Sequence, residues 1–168
     1  GTVTIIIDHE PYEITTYRVD GKYTDYRRPD TVSYTRNLAE DLLRRDFTIN
    51  AIAYDGENII DLHGGVDDIK NKIIRCVGNP DDRFREDPLR ILRALRFAVR
   101  FKFKIEESTA TAMRKHMGLL DHIAIERKQS EFTKTICTDG ISGNFDILKE
   151  YQDILEYVMP NIADITEW

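Results

Sequence analysis

The segment Glu86-Asp87-Pro88-Leu89-Arg90 sets an acid and an arginine three residues apart at the head of a helical-period run. A carboxylate only accepts hydrogen bonds and a guanidinium only donates them. Facing a nucleotide, Asp87 can accept from an exocyclic amino group while Arg90 donates to the adjacent ring nitrogen, the edge that cytosine and adenine share. Uracil and guanine present a carbonyl and an N–H there, so both contacts fail. A site built on such hydrogen bonds discriminates by about 10⁴ to 10⁵, because mismatched polar groups stay unpaired. The same spacing equally suits an ordinary i, i+3 ion pair at a helix start.

Charge is unevenly spread. The 168 residues carry a formal net charge of −6, which argues against wholesale coating of nucleic acid. Between Arg83 and Lys104, however, eight Lys or Arg residues stand against only Glu86 and Asp87, so a phosphate-rich ligand could be met there. Arg44, Arg45, Asp46 and Asn50 read, from residue type alone, as a solvated helix end leading into a strand. Glu126, Arg127, Glu131 and Lys134 fall at i, i+1, i+5 and i+8 of an expected helix, which suits surface ion pairs of little worth. Cys76 and Cys137 form no C-x-x-C pair and read as buried, reduced thiols. His9, His63, His116 and His122 have no ligand spacing and read as surface or packing residues.

The elements that must position these groups divide the chain near 77/78. Residues 2–7 and 12–19 are rich in β-branched and aromatic residues, with Asp20-Gly21 as a turn; Asp55-Gly56 between 49–54 and 58–62 predicts a hairpin. Short helices are expected over 38–45 and 66–72, and Gly64-Gly65 marks a tight turn. From about Asn79 strand signals cease, and helices are predicted over 87–100, 106–115, 125–137 and 145–157, the last ended by Pro160. At 100° per residue, Ile91, Leu92, Leu95, Ala98 and Val99 share a core arc, while Glu86, Arg90, Arg93, Arg96 and Arg100 lie opposite. The expectation is an α+β chain: residues 1–77 a partial sheet domain, residues 78–168 all-helical.

Four ordered segments resemble the signature motifs of the tRNA nucleotidyltransferase and bacterial poly(A) polymerase family: Arg44-Arg45-Asp46-Phe47-Thr48-Ile49-Asn50-Ala51, Asp61-Leu62-His63-Gly64-Gly65 through Arg75, Glu86-Asp87-Pro88-Leu89-Arg90, and Glu126-Arg127 with Glu131 and Lys134. The resemblance implies an incomplete nucleotidyltransferase head sheet of polymerase-β type, followed by a helical neck and the start of a body. It implies nucleotide binding by Arg44, Arg45, Asp46, Asn50, Glu86, Asp87, Arg90, Arg93 and Arg96. In that reading Asp87 and Arg90 act as a protein template, Glu86 holds the arginine, Asp46 and Asn50 meet the ribose hydroxyls, and Arg45 reaches the triphosphate. Asp61, Gly64, Gly65, Asp68 and Arg75 become a head-to-neck hinge, and Glu126, Arg127, Glu131 and Lys134 a neck motif supporting the pocket. Ala124 stands where the family commonly has serine, so that helix is expected to be capped differently. The loop 21–34, with Arg27 and Arg28, resembles the flexible loop used in switching from C to A addition; otherwise it is a polar surface loop.

Phosphoryl transfer of this kind normally relies on carboxylate-held Mg²⁺. The family's D-x-D pair is absent, as is its G-G-x-x-R-D segment, and the chain begins Gly1-Thr2-Val3. The expectation is a fragment without catalytic residues of its own, inactive alone, whose main metal ligands lie upstream; Glu13 is either a further metal carboxylate or an ordinary exposed strand residue. The partners implied are the tRNA 3′ end with CTP and ATP as substrates. Poly(A) addition and a non-catalytic RNA- or nucleotide-binding module are the alternatives. No run approaches the ~18 apolar residues of a membrane span, so no membrane partner and a cytoplasmic address are expected; the oligomeric state stays open.

Overall fold

The computed structural model of the chain describes residues 2–137 and 145–160. It begins with β1 (Thr2–Ile7) and β2 (Glu10–Thr15), an antiparallel ribbon turned by Asp8 and His9, both at positive φ as a tight hairpin turn requires. Every position of the ribbon is exposed. The predicted strand over 12–19 is interrupted at Thr16-Tyr17. β3 (Arg18–Asp20) pairs instead with β4 (Val32–Tyr34), closing the loop between them.

Next comes α1 (Leu38–Leu43), started by Asn37, whose side chain accepts the Ala39 N–H. A 3-10 turn, Thr48–Asn50, takes the place of the front of the strand expected over 49–54, leaving β5 (Ile52–Tyr54) to pair with β6 (Ile59–Asp61) around Asp55-Gly56 as expected. Asp55 Oδ1 accepts the Glu57 and Asn58 N–H groups, which stabilises that turn. α2 (Gly65–Asn71) leads to β7 (Ile73–Ile74).

The helical half holds α3 (Pro80–Glu86), α4 (Leu89–Phe101), α5 (Glu107–His116), α6 (Ile125–Ile136), α7 (Phe145–Glu150) and α8 (Gln152–Val158), with a 3-10 stretch over Met117–His122. The helix expected over 145–157 is thus two, broken at Tyr151. Two further features of this half depart from the sequence expectation. α3 is additional, although Asn79 as N-cap, Pro80 at the first helical position and Asp81-Asp82 in the first turn together announce it. A strand also survives: β8 (Lys104–Ile105) pairs in parallel with β7, too short to leave a periodic signal.

The predicted core arc of α4 is buried throughout, and Phe47, Ile74 and Cys76 from the first part join the same core, which therefore runs across position 77/78. The opposite arc does not face water as amphipathic periodicity predicts. Arg90 is 9% exposed, Arg93 and Arg96 are half-buried, and only Arg100 is exposed. α4 is covered nearly all round, because α6 and the 44–50 segment lie over its arginines. Cys76 is buried but Cys137 is exposed, correcting the expectation that both are buried.

Candidate functional site

Pro88 begins the site. A residue before proline is pushed out of the helical region, and Asp87 is extended (φ −144, ψ 98), so α3 stops and α4 starts afresh around it. The break leaves the Asp87 carboxylate at the joint. Its Oδ1 accepts the Leu89 N–H at 3.1 Å and its Oδ2 accepts from Arg127 Nη2 on α6, also at 3.1 Å. Each oxygen keeps a further lone pair.

Arg90, one turn on, is held by three acceptors. Nη1 donates to Glu86 Oε2 at 2.7 Å and to the Arg83 carbonyl at 3.2 Å, while Nη2 donates to the Arg44 carbonyl at 3.1 Å. Glu86 also pairs with Arg83, whose Nη1 donates to the Leu43 carbonyl. A nearly buried guanidinium is tolerable because these bonds are charge-assisted or directed at carbonyls. Three of its five N–H groups are engaged by these contacts.

Arg93 reaches the 44–50 segment, donating through Nε (2.8 Å) and Nη2 (2.5 Å) to Asp46 Oδ2. Asp46 Oδ1 accepts the Phe47 N–H and Asn50 Nδ2. Arg44 and Arg45 project from the end of α1, and Asp41 beneath them accepts from both and from the Arg18 N–H. Partial burial pushes the Asp41 carboxyl up, but the Arg44 hydrogen bond and the Arg18 N–H outweigh it and hold the group below its usual range.

These side chains enclose a cavity of about 590 Å³, open to solvent, lined by Arg44, Arg45, Asp46, Asn50, Asp87, Leu89, Arg90, Arg93, Phe97 and Arg127. Seven of the nine residues assigned to nucleotide contact come together here, with Arg127 from the neck motif. Five arginines against two aspartates make it a cationic cavity with one acceptor and donor pair at the α3–α4 joint. Such a surface can hold a polyanion and meet a base edge. The other two lie behind it: Glu86 under Arg90, and Arg96 turned to α6, where Nε donates to Glu131 Oε2 at 2.7 Å. Arg96 also lies over the Phe97 ring.

The neck motif divides. Arg127 and Glu131 face α4 and are not surface pairs, Glu131 being only 4% exposed; Lys134 donates to it from the surface at 3.1 Å, and Glu126 is exposed in the first turn. Ala124 makes no side-chain cap, as expected.

The hinge residues gather elsewhere. Asp61 accepts the His63, Gly65 and Val66 N–H groups, capping α2 after Gly64 at φ +77. A Cβ on Gly65 would stand 2.2 Å from the Thr48 carbonyl oxygen, so only glycine fits. Thr48 Oγ1 donates to Asp68, Arg75 pairs with Asp68 at 3.1 Å, and Arg75 lies 3.7 Å from Glu106 before α5. A polar chain thus joins the 3-10 turn, α2 and the helical half. Burial raises the Glu106 carboxyl, but bonds from Ser108 and Thr109 prevail and bring it to about 2.

In the 21–34 loop, Asp25 accepts the Arg27 and Arg28 N–H groups and both arginine side chains are exposed. Tyr26 stacks on His122 at 4.6 Å, docking the loop on the helical half. Glu13 lies on the exposed ribbon opposite Thr4. Among the described residues no three His, Cys, Asp or Glu side chains gather as a metal site. No described helix is long and apolar enough to cross a membrane.

Leu89, Phe97 and Asp41 escaped the sequence reading. Leu89 and Phe97 follow from the α4 period, and Asp41 could have been found by its spacing of three and four residues from Arg44 and Arg45 on one helical turn.

A family model described as the poly A polymerase head domain matches residues 1–75, and one described as a probable RNA and SrmB-binding site of polymerase A matches 102–166. The CCA-adding enzyme of Lactobacillus helveticus is 53% identical over 135 residues, covering 80% of this chain and 34% of that protein. That of Bacillus velezensis is 49% identical over 164 residues, 97% of this chain and 41% of that protein. The chain thus spans about a third to two fifths of the length of these curated relatives. The crystal structure of the Bacillus stearothermophilus CCA-adding enzyme in complex with CTP superposes with TM-score 0.77 at 39% identity, over 89% of this chain and 36% of that one. A tRNA nucleotidyltransferase complexed with a primer tRNA and an incoming ATP analog gives TM-score 0.75 at 35% identity, over 94% and 44%.

Proposed function

The chain belongs to the tRNA nucleotidyltransferase and poly(A) polymerase family, and we propose that it carries the nucleotide-selecting part of an enzyme adding C, C and A to tRNA 3′ ends from CTP and ATP. One observation carries the reading: Asp87 and Arg90 share the wall of a cationic cavity, and Arg90 is held by three acceptors, so the donor–acceptor pair is set before a base arrives. Asp87 accepts from the amino group of cytosine or adenine and Arg90 donates to the ring nitrogen. In this reading Arg45, with Arg44 and Arg93 on the same cavity wall, meets the triphosphate's charge, and Asp46 with Asn50 meets the ribose hydroxyls.

The remaining assignments belong to the same proposal. Residues 1–77 are the partial head and 78–168 the neck and the start of the body. The 61–75 segment is the hinge, Arg127 and Glu131 support the pocket from the neck, and the 21–34 loop moves between C and A addition. Mg²⁺ is the complete enzyme's cofactor, its main ligands being other than the described residues, and the cytoplasm its place of action. The structures of similar enzymes in complex with CTP, and with a primer tRNA and an incoming ATP analog, support the choice of substrates.

A second reading, poly(A) addition, is favoured by the description of the matching head-domain model. The test is a transfer assay on the complete protein with tRNA lacking its 3′ end, each nucleoside triphosphate and Mg²⁺. Products that stop after C, C and A establish the first reading, long A tails the second, and no transfer a binding module.

A further inference from the structure

We propose that Asp41 is a positioning residue for the nucleotide's phosphates, acting through Arg44 and Arg45. The inference rests on the proposed role of those two arginines. Asp41 lies on α1 with its side chain 3% exposed and is not part of the cavity wall, whereas Arg44 and Arg45, 22% and 42% exposed, are.

Each carboxylate oxygen takes one arginine. Oδ1 accepts from Arg44 Nε at 3.0 Å and Nη2 at 2.6 Å, which fixes one edge of that guanidinium and leaves Nη1 to turn outward. Oδ2 accepts from Arg45 Nη2 at 3.2 Å, while Arg45 Nη1 donates to the Asn50 carbonyl at 3.2 Å. The carboxylate is itself located by the Arg18 N–H of β3, at 3.2 Å. Two long side chains that would otherwise be rotamerically free at the end of a short helix are therefore held side by side.

A carboxylate beside phosphate-binding arginines lowers their net charge, so its contribution is orientation and not attraction. Removing it returns rotamer freedom to two side chains that a bound nucleotide must then order, and this weakens binding by about tenfold. An ordinary helical i, i+3 and i, i+4 pair would be exposed and would leave nucleotide affinity alone.

The test is steady-state transfer by the complete protein carrying Asp41→Asn, alone and combined with Arg44→Ala and Arg45→Ala. The expected result is a KM for CTP and ATP raised about tenfold with kcat within about twofold and unchanged preference for CTP over UTP. In the double-arginine background Asp41→Asn should add nothing. Asp41→Glu, which keeps the charge but displaces the carboxylate from both guanidinium groups, should raise KM likewise with kcat kept, and provides the test if Asp41→Asn does not fold. An equal effect of Asp41→Asn in both backgrounds, or a loss of kcat and thermal stability at constant KM, would overturn the proposal. Arginine variants with unchanged KM would instead overturn the phosphate role on which it rests.

Discussion

Replacing Asp87 by asparagine separates the templating role from a merely structural one. Each Asp87 oxygen already has one protein donor, the Leu89 N–H on Oδ1 and Arg127 on Oδ2. An asparagine has a single acceptor oxygen. The Leu89 N–H is fixed at the start of α4, whereas the Arg127 side chain, 23% exposed, is free to swing away. The amide oxygen therefore stays on Leu89 and the NH₂ takes the place of Oδ2, turning an acceptor into a donor. Opposite the amino group of cytosine or adenine this exchanges a charge-assisted hydrogen bond for a clash of donors. The cost is about 1.5–3 kcal/mol, so kcat/KM for CTP and ATP falls about 10- to 100-fold. Uracil offers a carbonyl at that position and gains a partner, while Arg90 still opposes its N–H. The preference for CTP over UTP is thus expected to drop about 100-fold or more without inverting.

Single-nucleotide addition to tRNA lacking its 3′ end, measured with each triphosphate in turn, gives the ratio directly. Asp87→Ala serves as the control that removes the acceptor without supplying a donor, so it should lower CTP and ATP use and give UTP no gain. A ratio that stays put in both variants, or an equal fall for all four nucleotides, would refute the donor–acceptor argument.

Gly65→Ala places a methyl 2.2 Å from the Thr48 carbonyl oxygen and should destabilise the chain by about 1–3 kcal/mol, seen as an earlier thermal or denaturant midpoint. Glu131→Ala strands Arg96, 12% exposed, against an apolar wall; a loss of about 3 kcal/mol is expected, and one below ~0.5 kcal/mol would mean that the pair behaves like a surface contact. Glu106 has its carboxyl depressed to about 2 in the folded chain from an ordinary 4.5, so the unfolded chain takes up the proton first. Its stabilisation is complete above about pH 4.5 and disappears as pH falls towards 2. Urea midpoints of the parent and Glu106→Gln should therefore converge over that window and differ above it. With burial pushing the Cys76 thiol to about 12 and Cys137 exposed, a thiol reagent near neutral pH should label Cys137 rapidly and Cys76 only on unfolding; equal labelling would contradict the packing of Cys76 against the helices.

The sequence by itself determined whatever depends on local chemistry. The α4 core arc follows from a period of 3.6 and the 52–61 hairpin from Asp55-Gly56; Pro88, immediately before Leu89, encodes the joint at Asp87, although the helical period alone placed Asp87 inside the helix. The order of the polar motifs likewise pointed to Asp87 and Arg90 without any coordinates. Only the tertiary structure decided what faces what. The arginine arc of α4 looks like a solvent face in any helical projection, yet α6 and the 44–50 segment cover it; periodicity separates polar from apolar but cannot tell water from a partner carboxylate. The same holds for Glu131, whose spacing suits a surface pair until α6 packs on α4. The two-residue ladder of β7 with β8 is specified by residues about thirty apart, and no local pattern encodes it. Asp41 belongs with these. Its spacing to Arg44 and Arg45 is visible in the sequence, but its burial beneath them, and the cavity that makes their orientation matter, exist only once α1, α4 and β3 have come together.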